Sequence, residues 1–288
     1  MISFTSTLRV NALFWISSLK PGEEGTTRRV TEDLTPFFNR IGLPYQCWTP
    51  RNAAALDAAL DTIAQAAAEG MCPIVHFDMH GSERLGLYVA ASGEFVSWDR
   101  LIRKLRTINV ATKNNLCVVS ACCFGFHAIK VLQIMKPCPF YMLIAPEREI
   151  TFGFIEDNVF RFYQDAFTAL NIVKPYEQHL SAQMRLFHCE KSLAIVLSRY
   201  IGDSCMGKGG DLRRERLLTE VLTNGVPNNR ANKRMLRKSL KHMTRPTQAL
   251  LDRLVDTFLL GKQVGFNIDD LTKFSVSAKQ SLARKHIP

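Results

Sequence analysis

Two short segments of the sequence carry the residue types of a thiol-dependent reaction. One ends in His80-Gly81 and the other in Ser120-Ala121-Cys122, and His80 and Cys122 are 42 residues apart. The thiolate of a cysteine is a strong nucleophile, and a nearby histidine can accept its proton and return one to a leaving group. The two segments therefore predict a nucleophilic cysteine with a histidine base.

Apolar runs precede both segments and must position these side chains. Residues 73–79 and 116–119 have the composition of strands that are buried inside a sheet. Two neighbouring parallel strands bring both side chains to one sheet edge, and open α/β sheets bind ligands at that edge. The alternative for Cys122 is a small apolar residue buried at the end of a strand.

In these motifs the chain resembles the caspase-like cysteine peptidases, and among them the bacterial CHAT-type (caspase HetF-associated with TPRs) branch most closely. Caspases have Gln-Ala-Cys with the histidine about 50 residues upstream, whereas Ser120 replaces the glutamine here. The resemblance covers roughly residues 10–170. It implies a caspase-like three-layer α/β/α sandwich with a mostly parallel sheet, and peptide-bond cleavage by His80 and Cys122.

The resemblance also implies an oxyanion hole made of the backbone N–H groups of Gly81 and Cys122. Gly81 has no side chain, so its backbone can pass close to a substrate. Cys123 is a competing nucleophile, but adjacent residues on a strand point to opposite faces. We therefore assign Cys123 to the core or to the start of the next helix.

Asp78 lies two residues before His80, and His76 lies two residues before Asp78. Alternate residues face one side of a strand, but they are about 6–7 Å apart, which is unfavourable for a shared metal. We therefore predict neither a metal nor another cofactor. Asp78 either assists His80, lines the substrate pocket, or is hydrogen-bonded inside the fold.

Charged loops suggest a preference for the residue before the scissile bond (P1). Acidic groups near the site favour a basic or neutral P1 side chain over aspartate, although the neighbouring Arg28 and Arg148 could reverse this preference. Besides Asp78, the predicted substrate-binding residues are Ser120, Glu23, Glu24, Glu147 and Glu149.

Strand and helix patterns alternate along the first half of the chain, which predicts an α/β fold. The predicted strands are 11–16, 45–48, 73–80, 85–89, 94–98, 116–119 and 140–144. The predicted helices are 26–41, 52–69, 98–108, 126–135, 156–170 and 177–200. A Gly-rich break at 202–210 separates a protease domain, residues 1–204, from a basic helical C-terminal region, residues 205–288.

Charge is concentrated in that C-terminal region. Residues 205–288 contain 17 Lys and Arg against 7 Asp and Glu, which accounts for most of the net charge of +11. Arg230, Lys233, Arg234, Arg237, Lys238 and Lys241 have helical spacing and could form a cationic stripe. The stripe is either a solvated helix face or a surface that binds an activating protein or a nucleic acid.

Cysteine usage and hydropathy suggest a cellular location. The eight cysteines have no Cys-x-x-Cys spacing, which suits a reducing compartment, and no apolar run reaches the roughly 18 residues that span a bilayer. No leader sequence is predicted at the N-terminus. We expect a cytoplasmic protein with no membrane span.

The resulting hypothesis is a cysteine endopeptidase that cleaves a partner protein, with the resemblance implying a role in bacterial defence or cell death. One alternative is a catalytically idle caspase-like module that binds a partner through its basic C-terminal region. Another is an adaptor that senses nucleic acid.

Overall fold

The computed structural model describes Phe4 and residues 8–284, with the side chains of residues 277–284 excluded. Within these ranges the chain divides into two compact units. The α/β unit contains residues 8–189 and 256–262, and the helical unit contains Phe4 and residues 190–255 and 263–284. The predicted domain boundary at residue 204 stays a prediction.

An eight-stranded, mostly parallel sheet forms the centre of the α/β unit. Six strands form its main path: β1 (Ala12–Ser18), β2 (Tyr45–Trp48), β3 (Pro73–Ser82), β6 (Cys117–Ser120), β7 (Met142–Pro146) and β8 (Met184–His188). Their order across the sheet is β2-β1-β3-β6-β7-β8, in which only the β7–β8 pair is antiparallel. A hairpin of β4 (Gly86–Val89) and β5 (Glu94–Val96) extends from the end of β3.

Helices cover both faces of this sheet, which gives the predicted three-layer α/β/α sandwich. Helices α1 (Gly25–Ile41) and α4 (Phe152–Ala169) pack together, as do α2 (Ala53–Ala68) and α3 (Trp98–Ala111). Helix α1 connects β1 to β2 on one side of it, and α2 connects β2 back past β1 to β3 on the other side, so the two connections run in opposite directions across the sheet. Because crossover connections are right-handed, these two helices lie on opposite faces.

Local sequence explains the boundaries of several of these helices. The side chains of Asn52, Ser97 and Thr151 accept hydrogen bonds from backbone N–H groups in the first turns of α2, α3 and α4. Such caps satisfy donors that have no partner within the helix. Buried runs in β1 and in the first seven residues of β3 fill the centre of the core.

Two predicted helices are wrong. The segment expected to form a helix over 126–135 forms a shorter 3-10 helix, Gly125–Val131. The helix expected over 177–200 is interrupted by β8, and only α6 (Cys189–Tyr200) is helical in its second half. A short apolar run is compatible with either a helix or a strand. Here the hydrogen bonds to β7 make residues 184–188 a strand.

A short helical stretch precedes β8. It consists of α5 (Val173–Pro175) and a π-helical turn, Tyr176–Leu180. Residues 256–262 return to the α/β unit, where the carbonyl of Phe258 accepts a hydrogen bond from the N–H of Cys138 at 2.9 Å.

The helical unit contains most of the basic C-terminal region. Its helices are α6, α7 (Gly207–Thr223), α8 (Arg230–Met243), α9 (Gln248–Phe258) and α10 (Ile268–Arg284). The first residue of α6 and the last three residues of α9 belong to the α/β unit. The Gly-rich segment is helical, since a π-helical turn at Ile201–Cys205 leads into α7. A Cβ at Gly209 would lie 2.1 Å from the Asp203 carbonyl oxygen, so glycine permits a close contact there.

Within the described ranges, no helix combines the length and the apolar character that crossing a bilayer requires.

Candidate functional site

A cavity of about 340 Å³ lies at the carboxyl ends of the parallel strands. The last residues of β3 and the segments that follow β1, β6 and β7 all contribute to it. Ligand sites of open α/β sheets usually lie at this edge. A second cavity beside Phe167 holds about 30 Å³, which is room for about one water molecule. The larger cavity is lined by Leu19, Asp78, Met79, His80, Gly81, Ala121, Cys123, Phe124, Glu149, Ile150, Phe152 and Ile155.

His80 lines this cavity from the end of β3 and is held by Glu23. The imidazole Nε2 lies 2.6 Å from the Glu23 carboxylate Oε2, and about a third of each side chain is exposed. Because a carboxylate can only accept, Nε2–H donates, and Nδ1 of the neutral ring is left as a proton acceptor. The hydrogen bond from His80 is the main reason why the pKa of Glu23 lies below its usual value.

Gly81 packs directly against the segment that follows β6. A Cβ added at this position would lie 2.0 Å from the carbonyl oxygen of Cys123 and 3.4 Å from the Cβ of Cys122. Real Cβ atoms do not make such a close contact with backbone. Glycine is therefore required for the end of β3 to approach the segment after β6 that contains the two cysteines.

Cys122, the predicted nucleophile, is completely buried below the cavity. Its Sγ donates to the carbonyl oxygen of Phe77 at 3.6 Å. Burial raises the pKa of the thiol to about 12, against a smaller lowering by a hydrogen bond with Ser120. The assignment of Cys122 as nucleophile stays a prediction, and its present surroundings favour the unreactive thiol form.

Cys123 is only partly buried and lines the cavity together with His80. Its Sγ lies 4.0 Å from the carbonyl oxygen of Ile150, another lining residue. The backbone turns immediately afterwards, since Phe124 has a φ of 60° and its N–H donates to the Arg148 carbonyl oxygen at 3.0 Å. Cys122 and Cys123 therefore have different surroundings, since the first is fully buried and the second lies on the cavity wall.

Asp78 contributes a nearly buried carboxylate to the cavity, with 2% of the residue exposed. It accepts a hydrogen bond from the Thr27 hydroxyl through Oδ2. Burial raises the pKa of Asp78 to about 6, although the Thr27 hydrogen bond and the nearby His80 act in the opposite direction. Asp78 is thus both hydrogen-bonded inside the fold and part of the cavity wall, which were two of the alternatives for this residue.

The remaining predicted substrate-binding residues do not form one group. Glu149 lines the cavity, whereas Glu147 lies 3.7 Å from Arg185. Glu24 accepts a hydrogen bond from the Gly22 N–H at 2.9 Å. Ser120 is buried at the end of β6.

Sequence reasoning missed the pairing of Glu23 with His80 and the apolar wall that Phe152 provides. The Phe152 ring lies 6.3 Å from the His80 ring, almost perpendicular to it. Glu23 follows β1, the parallel neighbour of β3. Its position after a strand could therefore have indicated that it reaches the same sheet edge.

His76 belongs to the core and not to the cavity. Its ring stacks on Trp15 with centroids 3.6 Å apart, and Nδ1 lies 2.8 Å from the Tyr163 hydroxyl. Burial lowers the pKa of His76 to about 3, so the ring is neutral. In the part of the chain that the structure describes, no group of three or more His, Cys, Asp or Glu side chains is arranged to hold a metal ion.

A scan against protein-family models and a search of the curated proteins both returned no match for this chain.

Proposed function

We propose that the protein is a cysteine endopeptidase that acts at the cavity beside His80. The observation that carries this proposal is the 2.6 Å hydrogen bond between His80 and Glu23 at the edge of a cavity that also contains a partly exposed cysteine. A base that is oriented by a third group and lies beside a nucleophile is the usual arrangement for covalent catalysis.

Cys123 is the thiol that best fits this role, because it lines the cavity with His80 while Cys122 is fully buried. In the proposed reaction, Nδ1 of His80 takes the proton of the thiol and the thiolate attacks the scissile carbonyl carbon. The protonated His80 then gives its proton to the leaving amine. Water hydrolyses the thioester, which returns the thiol and releases the acid product.

Backbone N–H groups beside Cys123 would stabilise the negative charge on the substrate carbonyl oxygen. Within the described ranges, the N–H of Cys123 has no backbone acceptor. The resemblance assigns this role to the N–H groups of Gly81 and Cys122. Gly81 packs against the backbone of Cys123, the residue that follows Cys122. An N–H group near a cavity is the kind of donor that an oxyanion hole requires.

The second candidate function is a catalytically idle binding module, and helix α8 favours it. The helix contains six Lys and Arg and no Asp or Glu, and it exposes most of its residues. Such a helix suits an acidic protein or a nucleic acid. The cytoplasmic location rests on cysteine usage and hydropathy, whereas the role in bacterial defence or cell death rests on the resemblance alone. Both stay predictions.

Single variants at the two adjacent cysteines test the first proposal. We expect wild-type protein and Cys122→Ala to cleave a fluorogenic peptide library, and Cys123→Ala and His80→Ala to be inactive. Mass spectrometry after brief treatment with a thiol-directed probe should locate the label on Cys123. Loss of cleavage in Cys122→Ala, with Cys123→Ala active, would return the nucleophile to Cys122. Slow labelling of both cysteines without cleavage would favour the binding module.

A further inference from the structure

We infer that the cavity binds a lysine or arginine side chain of the substrate, next to the bond that is cleaved. This inference rests on the proposed function for its link to cleavage. The cavity combines apolar walls with carboxylates, and this combination suits a long basic side chain.

The apolar walls suit the methylene stem of a long basic side chain. Six of the twelve lining residues are large and apolar: Leu19, Met79, Phe124, Ile150, Phe152 and Ile155. The volume of about 340 Å³ is at the lower end of the range for ligand sites, so it can hold one long side chain with the adjoining backbone. Lysine and arginine bury their stems against apolar surfaces in this way.

Two carboxylates in the lining suit the cationic end of such a side chain. Asp78 is almost fully buried, and Thr27 is its hydrogen-bond donor among the described residues. A carboxylate has about four acceptor sites, so Asp78 retains capacity for a cation from the substrate. Glu149 is exposed at the edge of the cavity and can add to the attraction.

Within the described part of the chain, the lining provides no lysine or arginine to pair with an acidic substrate residue. An aspartate in this cavity would face Asp78 and Glu149 without a cation to pair with, which is unfavourable in a partly buried site. His80 is already paired with Glu23.

The experiment compares peptides that differ only at P1, with arginine, lysine, citrulline, norleucine or aspartate. Citrulline keeps the length and shape of arginine without the charge, and norleucine keeps the four-carbon stem of lysine without the ammonium group. We expect kcat/KM for arginine to exceed that for citrulline by about tenfold to a hundredfold, the size expected for a hydrogen bond to a charged group. Preference for aspartate or citrulline would overturn the inference.

Variants then locate the source of the preference. Asp78→Asn and Glu149→Gln should each lower the arginine-to-citrulline ratio of kcat/KM. Glu147→Gln, in the same loop as Glu149 but paired with Arg185, should leave the ratio unchanged. Equal ratios in wild type, Asp78→Asn and Glu149→Gln would contradict the inference. The exposed position of Glu149 makes its variant a test that does not depend on the folding of Asp78→Asn.

Binding without cleavage separates this inference from the proposed function. In the Cys122→Ala/Cys123→Ala double variant, fluorescence anisotropy should show tighter binding of the arginine peptide than of the citrulline peptide. If wild type cleaves nothing but the double variant retains this difference, the cation site stands and the peptidase proposal fails. Cleavage with equal binding of both peptides would overturn the cation site alone.

Discussion

The imidazole Nε2 of His80 lies 2.6 Å from the carboxylate Oε2 of Glu23, although 57 residues separate them in the sequence. Glu23 is in the loop after β1, and His80 is near the end of β3, the parallel neighbour of β1. The pairing fixes which ring nitrogen carries the proton and leaves Nδ1 as the acceptor. Glu23 is therefore a positioning residue for His80.

Replacing Glu23 by Gln should lower kcat of the proposed reaction by about tenfold to a hundredfold, the worth of a hydrogen bond to a charged group. The charge of Glu23 stabilises the protonated ring that forms during proton transfer, so KM should change little. Measuring kcat and KM separately across pH checks this, together with the ¹⁵N shifts of the His80 ring. Glu24→Gln, in the same loop, is the matched control.

An effect on KM alone would contradict the positioning role of Glu23. Equal losses of activity in Glu23→Gln and Glu24→Gln would also contradict it, because the Glu24 carboxylate accepts from the Gly22 N–H and does not contact His80.

Gly81→Ala should destabilise the protein by about 1–3 kcal/mol, the usual cost of overpacking. The added Cβ would meet the Cys123 carbonyl oxygen at 2.0 Å, so the ends of β3 and β6 must move apart. Urea unfolding measures the loss, and peptide cleavage should fall with it. Gly153→Ala is the control, since nothing lies within 4 Å of its added Cβ and alanine favours the α4 helix.

A Gly81→Ala variant as stable and as active as Gly153→Ala would show that the two strand ends are not in close contact in solution.

Asp78→Asn should stabilise the protein near neutral pH. The pKa of Asp78 is about 6 in the folded protein, against 3.8 for an exposed carboxyl in the unfolded chain. As pH rises, the unfolded chain therefore loses the Asp78 proton at a lower pH than the folded protein does. The contribution of Asp78 to the unfolding free energy therefore falls between pH 4 and 6. The variant should gain stability over wild type across this window, reaching on the order of 3 kcal/mol.

Urea unfolding of both proteins at several pH values between 3.5 and 7 measures this difference. Other titrating groups are common to the two proteins, so their contributions cancel. A difference that does not change with pH would mean that Asp78 titrates normally in the folded protein.

Asn109→Ala should destabilise the α/β unit by about 3 kcal/mol, because it leaves buried polar groups without partners. The Asn109 side chain donates to the Cys138 carbonyl oxygen at 2.7 Å and accepts from the Leu116 N–H at 3.0 Å. These bonds fix the chain where it enters β6. Urea unfolding should show a much smaller loss for Asn158→Ala, whose side chain donates to a carbonyl of its own helix.

Similar losses for Asn109→Ala and Asn158→Ala would contradict a special role of the buried Asn109 network.

The sequence by itself determined the parallel core of the sheet. Residues 73–79 form an uninterrupted buried run of the length typical of a central strand, and Asn52 caps α2 as a local signal. The edge strand β8 could not be predicted, because the hydrogen bonds that make Met184–His188 a strand come from β7. The same limit applies to residues 125–131, where a short run favoured an α-helix over the observed 3-10 helix.

The sequence likewise indicated that His80 and a cysteine reach one sheet edge, since both follow buried strands. Only the tertiary structure decided which cysteine lines the cavity, because the packing around the end of β6 buries Cys122 completely and leaves Cys123 on the cavity wall. Tertiary packing alone brought the Glu23 carboxylate to the His80 ring and buried Asp78 beside the Thr27 hydroxyl. Residue type gives a side chain its chemistry, whereas neighbours from distant segments determine its burial, charge state and partners.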